Sequence, residues 1–146
     1  METAAGTATI PRADQLYLWV WGAILVVLGG GSLLLHPDFA VGDDVSGEHL
    51  FGVFETNGWH GIAGLTMGIL ALAFARSDRW APTVAAVVGG VGGILPAVVM
   101  FLAGEGNAAA GLVPVDIRDA VLLHLVPGVL GVALAMRYAA SGRRAG

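Results

Sequence analysis

The sequence predicts an all-α integral membrane protein, a bundle of four helices with its N- and C-termini on the cytoplasmic side. Three observations carry this. Of 146 residues, 56% are hydrophobic and only 12% charged, against roughly 25% charged in a soluble domain, and the mean hydropathy is +0.78. The apolar residues collect in four long segments. Six of the seven arginines fall at one end of those segments and most of the acids at the other.

Residues 1–15 lack a basic start running directly into a short apolar region and a small-residue cleavage site. They do not read as a signal peptide, and the first segment is expected to stay as an anchor. Leu16 to Leu35 is uncharged for twenty residues, enough to cross a ~30 Å hydrocarbon core as a helix. Pro37 stops it. The stretch from His36 to Asn57 is too long for a simple turn. Gly42, Asp43 and Asp44 read as a bend within it, and Gly47 to Phe54 is apolar enough to lie against the bundle mouth as a re-entrant or interfacial segment. Thr56 or Asn57 caps the second helix. Gly58 to Ala75 is the second span, with His60 its only ionisable group, and Ala81 to Ala103 the third, with none. Ala120 to Met136 is short for a fourth span. It is expected to borrow Ile117 to Asp119, with Asp116 and Asp119 as a capping arrangement, and to run over 117–137. Pro96 and Pro127 lie inside spans three and four, where each removes a backbone hydrogen bond and kinks its helix. Helices are required because a lipid-exposed strand edge would leave backbone groups unsatisfied. The whole of 1–146 is expected to form one membrane domain.

Arg12, Arg76, Arg79, Arg137, Arg143 and Arg144 share one side of the bundle. Asp38, Asp43, Asp44, Glu48, Glu55, Glu105, Asp116 and Asp119 occupy the other, with Arg118 the single base among them. Arginine-rich loops stay in the cytoplasm, so loop 36–57 is expected outside, in a multi-pass protein of the cell membrane. Trp19, Trp21, Trp59, Trp80, Tyr17 and Tyr138 gather near span ends as an aromatic belt. Without cysteine, disulfides and thiolate metal sites are excluded. A net charge of -4 gives no footprint for nucleic acid. The loop acids lack the spacing of a loop that wraps calcium, and neither a P-loop nor a nucleophile elbow is present. The use of arginine to the exclusion of lysine reads as GC-rich bacterial coding.

A weak internal repeat runs through the chain. His60 is followed four residues later by Gly64, and His124 by Gly128; each segment then runs apolar to an arginine, Arg76 or Arg137. Gly29 to Gly31 in span one echo Gly89, Gly90, Gly92 and Gly93 in span three. Parallel repeats occur in membrane folds, but apolar sequence of low complexity imitates them, so duplication stays one of two alternatives. Gly64 with Gly68, and Gly89 with Gly93, set small residues four apart on one helix face, where backbones approach closely. Tight packing inside the bundle, with Gly128 part of it, is the expected use; a homodimer face is the alternative.

The candidate site is a polar cluster at the acidic end: Glu55, Asn57, His60, Arg118, Asp119 and His124. His60 lies about three residues past its cap and His124 about eight past its own, a depth difference of roughly 7 Å, so whether they meet is open. Ionisable groups within a bilayer usually face the bundle interior with a partner. One reading is structural: the imidazoles donate to carbonyls or to Glu55 and Asp119, and Arg118 neutralises the acids. A second is a ligand site, in which His60 and His124 bind haem iron or a transition metal. A third is a proton-relay or quinone site. No catalytic constellation is complete.

The stretch Leu50 to His60 (LFGVFETNGWH) resembles the start of helix two in a family of small bacterial four-helix membrane proteins, domain of unknown function 4383. That family carries Asn-x-x-His here, matched by Asn57 and His60, often with a second histidine four residues later. It closes with a Gly-Leu-hydrophobic-Pro segment, an Asp and a Leu-His pair, matched by Gly111, Leu112, Val113, Pro114, Asp119, Leu123 and His124. The resemblance covers about Leu16 to Met136. It implies the four-helix fold and marks Asn57, His60, Asp119 and His124; it supplies no reaction. The chain departs twice: Gly64 stands in place of the second histidine, and the spacing from Asp119 to His124 is one residue longer. Losing one ligand and rotating another by ~100° would disturb any metal site shared with the family.

Together these observations favour an accessory or scaffold subunit, not an enzyme, packing in the lipid bilayer beside a membrane protein partner or a second copy. The alternatives are a haem- or metal-binding redox module using His60 and His124, and a proton or small-solute transporter working as an oligomer.

Overall fold

The computed structural model describes residues 11–142, so the chain ends, with Arg143 and Arg144, lie outside the described residues. Four helices account for most of it: α1 (Ala13–Leu35), α2 (Gly58–Phe74), α3 (Ala81–Ala103) and α4 (Ile117–Ser141). The expected four-helix class is the one found. Helices α1, α3 and α4 are each long and apolar enough to cross a membrane; α2 is apolar but shorter, at 17 residues. Helix α1 starts ahead of the uncharged run because its first turn is tied at the arginine end. Gln15 accepts from the Arg12 backbone (3.0 Å), and Arg12 pairs with buried Asp14 at 2.9 Å. The Arg12 guanidinium also lies over the Tyr138 ring of α4.

The acidic loops are ordered differently from expectation. Gly47 to Phe54 is not a re-entrant segment. It belongs to a hairpin, β1 (Glu48–Leu50) against β2 (Phe54–Thr56), and the second loop forms another, β3 (Ala108–Ala109) against β4 (Val113–Pro114). Pairing satisfies backbone groups that would otherwise sit unpaired at the bundle mouth. Each hairpin turns through a residue–glycine pair at positive φ, Phe51–Gly52 and Ala110–Gly111. The same 59-residue interval separates these turns and the helix caps that follow, Asn57 and Asp116. The two hairpins are also tied to the opposite halves of the chain through equivalent carbonyls. Asn57 Nδ2 donates to the Leu112 carbonyl at 2.6 Å, and Arg118 Nη2 donates to the Val53 carbonyl, 59 residues earlier than Leu112.

Glycines set the helix spacing. A Cβ at Gly29 of α1 would collide with the backbone of Leu65 and Gly61 in α2, and one at Gly68 would lie 2.9 Å from the Gly22 carbonyl oxygen. In the other helix pair, Gly89 and Gly93 of α3 meet Gly128 of α4 at the same closeness. The core between them is built from small side chains, with Ala71, Ala75, Ala81 and Ala85 around Leu18 and Val88. Helices α3 and α4 each contain one π-helical turn, Gly90–Ile94 and Ala120–Leu125, and in each a proline, Pro96 or Pro127, follows two residues later. The wider turn takes up the interruption that proline imposes on the hydrogen-bond ladder.

A buried hydroxyl pair locks β2 to α1. Ser32 Oγ donates to the Leu28 carbonyl, so at 2.8 Å the Thr56 hydroxyl donates to Ser32 Oγ. Ser32→Ala orphans the Thr56 hydroxyl and is expected to cost about 1–3 kcal/mol. Adding Thr56→Val should restore part of that loss. Denaturation in detergent of both variants tests it; additive losses would show that the hydroxyls are not coupled.

Candidate functional site

The six polar residues expected together divide into two groups. The upper group clamps the hairpins. Asp119, 1% exposed, accepts from the Glu55 backbone N–H at 2.8 Å and pairs with Arg118 Nε at 3.4 Å. Arg118 also pairs with Asp116 at 3.5 Å. Asn57 caps α2 by accepting from His60 N at 3.0 Å, while Asp116 caps α4 by accepting from Asp119 N at 3.2 Å. Arg118→Ala should cost about 1 kcal/mol, because half of its side chain is in solvent and exposed pairs are weak. Thermal melts beside Arg143→Ala check this; equal Tm values would show that Arg118 carries no clamp.

Glu55 packs its side chain over Gly47, and burial pushes its carboxyl above the ordinary carboxylate range, with His49 opposing. A raised carboxyl pKa favours the protonated fold, so the stability contribution falls as pH rises past the unfolded value. Glu55→Gln should therefore raise Tm at pH 7 and leave it nearly unchanged at pH 4. A Tm gain equal at both values would assign the effect to packing.

The lower group is the histidine pair. Nε2 of His60 and Nε2 of His124 lie 3.3 Å apart, with the rings inclined by only 21° and their centroids 5.3 Å apart. The imidazoles meet nearly edge to edge. Neither hydrogen-bonds to Glu55 or Asp119 side chains. Nδ1 of His124 lies 3.3 Å from the Gly92 carbonyl oxygen. That oxygen only accepts, so Nδ1 carries the proton and His124 Nε2 is bare. In the neutral pair His60 then holds its proton on Nε2 and donates it to His124. Its Nδ1 is left buried and without a hydrogen-bond partner, with the Glu55 backbone in electrostatic reach. Gly92 is free to accept because Pro96, four residues on, has no N–H to offer it.

The depth difference between the histidines is cancelled by the helix levels. Asp119 stands three past its cap as His60 does, yet it meets Glu55, which lies above His60 in the chain direction of α2. Helix α4 therefore begins higher. The stretch from Asp119 to His124 runs through the π-helical turn Ala120–Leu125, which takes one more residue than an α turn and still brings His124 to His60.

The pair does not suit haem. Two axial nitrogens across an iron stand about 4 Å apart at bonds near 2 Å, with a macrocycle between; 3.3 Å leaves no such gap. It is close to the separation of two imidazoles on one tetrahedral ion, about 3.3–3.4 Å. Among the described residues, however, no group of three or more His, Cys, Asp or Glu is placed to hold a metal.

Two chambers flank the pair. One, about 260 Å³, lies between α2 and α3 beneath β3–β4 and is walled by Ala63, Leu95, Val99, Met100, Ala109 and Val113. The other lies against α1 beneath β1–β2, with Leu50 and Phe54 in its wall; its free volume is about 30 Å³, room for roughly one or two waters. Both histidines line both chambers.

The model of a family described as domain of unknown function (DUF4383) matches residues 15–137. The chain belongs to this family. No curated protein and no solved structure matches it. The DUF4383 region holds all four helix starts but that of α1, both hairpins and the histidine pair. Sequence reasoning missed Gly92, Ser32, Ala109 and Val113 as site residues. The Gly92–Pro96 spacing of four was a readable sign of a free carbonyl; the others carried no sign, because small and hydroxyl side chains are unremarked in any apolar segment.

Proposed function

We propose that this DUF4383 protein is an accessory subunit of the cell membrane whose working part is a small-molecule binding centre at His60 and His124. The observation that carries the reading is the 3.3 Å imidazole pair opening onto an apolar chamber of about 260 Å³. Apolar walls with a few convergent polar groups are the usual form of a ligand pocket. Polar groups within a membrane bundle are costly and mark function more often than packing. The pair also joins the two halves of the chain, and membrane folds built from repeats place ligands at that seam. The arginine-rich end is assigned to the cytoplasm by its charge, which puts the hairpins outside. Glycine contacts at Gly64, Gly68, Gly89, Gly93 and Gly128 are assigned to holding this bundle together.

The test is purification from the native membrane in mild detergent, wild type beside His60→Leu and His124→Leu, with mass spectrometry and absorption of the organic extract. One compound in near-stoichiometric amount is expected from wild type and from neither variant. The same extract from all three proteins overturns the reading.

A further inference from the structure

We propose that the chamber between α2 and α3 takes a neutral flat ring bearing carbonyl or hydroxyl groups, of the para-quinone and quinol class, with any apolar tail left in the lipid. This rests on reading the histidine pair as the binding centre, and it adds the ligand class and the route.

The two chambers share two wall positions across the halves of the chain. At the 59-residue interval, Leu50 corresponds to Ala109 and Phe54 to Val113, and each pair occupies the same place in its own chamber wall. Leu50 and Phe54 leave about 30 Å³; Ala109 and Val113 leave about 260 Å³. The wider chamber is the one with the smaller side chains at these two positions, and its helix wall is Leu95, Val99 and Met100 of α3 where the narrower one has Leu25, Leu28 and Ser32 of α1. Its size falls just below the ~300–1,000 Å³ of pockets for drug-sized ligands, which suits one or two fused rings.

Leu95 forms the lip. It lines the chamber and is also 54% exposed on the outside of an apolar helix. The mouth therefore opens where lipid chains would lie, a route for a membrane-dissolved molecule. Two imidazoles are among the lining residues, with no cationic side chain beside them, so an anion is disfavoured and a neutral hydrogen-bonding group fits. By replacing the bond between the two imidazoles, a quinone carbonyl would accept the His60 Nε2–H and a quinol hydroxyl would donate to the bare His124 Nε2. The neutral pair carries both the N–H and the bare nitrogen.

The probes are 2-methyl-1,4-naphthoquinone and 2-methylnaphthalene, alike in ring size and different in carbonyls, titrated calorimetrically into the purified chain in lipid nanodiscs. The quinone should bind wild type at least tenfold more tightly than the hydrocarbon. His124→Leu should remove that preference. Ala109→Leu with Val113→Phe, which copies the other half, should abolish binding; Leu95→Trp blocks the mouth from a half-exposed position and should do the same if the double variant melts abnormally. Equal affinity for both probes, no binding by wild type, or full binding to Leu95→Trp each overturns the proposal. If the histidine variants lose the native compound while Leu95→Trp keeps it, the binding centre stands and the chamber assignment fails.

Discussion

Gly128→Val is expected to prevent a stable fold, and Gly128→Ala to cost about 3 kcal/mol or more. A Cβ at Gly128 would lie 2.7 Å from the Gly89 carbonyl oxygen and 2.7 Å from Ile94 N. Both are backbone atoms and neither can rotate away. Overpacking a core usually costs ~1–3 kcal/mol; here relief requires α3 and α4 to separate, which would also draw His124, one turn away, from Gly92. The matched control is Gly90→Ala. A Cβ there meets nothing within 4 Å, and removing a helix glycine should gain up to about 1 kcal/mol. Opposite signs in detergent unfolding are the expected outcome. A neutral Gly128→Ala would show that the α3–α4 contact is looser than described.

Asp119→Ala is the second large loss, about 1–3 kcal/mol for the orphaned Glu55 amide. Its carboxylate is 1% exposed, accepts from the Glu55 backbone and faces Arg118. Removing the carboxylate leaves the Glu55 N–H without its acceptor, while half-exposed Arg118 returns to water. Asp119→Asn keeps an acceptor for Glu55 N–H and should lose less. The effect should exceed that of Arg118→Ala, since solvent compensates the arginine and not the backbone amide. Hydrogen exchange at the Glu55 amide gives a separate reading: it should become fast in Asp119→Ala and stay slow in Arg118→Ala. Slow exchange in both would show that the Glu55 amide finds another partner.

Much of the fold was legible because it depends on composition. An uncharged apolar run such as 81–103 has few stable options in lipid other than a helix, and Asn57 and Asp116 were recognisable as caps from their position. The hairpins were not legible. A strand of three residues, Glu48 to Leu50, carries too little alternation to distinguish from an interfacial segment. Phe51 at positive φ runs against its own preference, in a turn closed by the Gly52 N–H to His49 and Val53 N–H to Leu50 backbone bonds. The site was half legible: His60 and His124 stood out as ionisable groups in apolar segments, but their meeting did not.

What the sequence determined by itself is the class of the protein, the caps of its second and fourth helices and the family to which it belongs. These follow from local chemistry, apolar length and capping side chains. The tertiary structure alone decided that α4 begins above α2, that a π turn precedes the meeting of His124 with His60, and that the chamber walled by Ala109 and Val113 is wide where the one walled by Leu50 and Phe54 is narrow. Each of these depends on how two helices are set relative to one another. That setting comes from glycine contacts and hairpin hydrogen bonds between residues far apart in the chain, which no local pattern records.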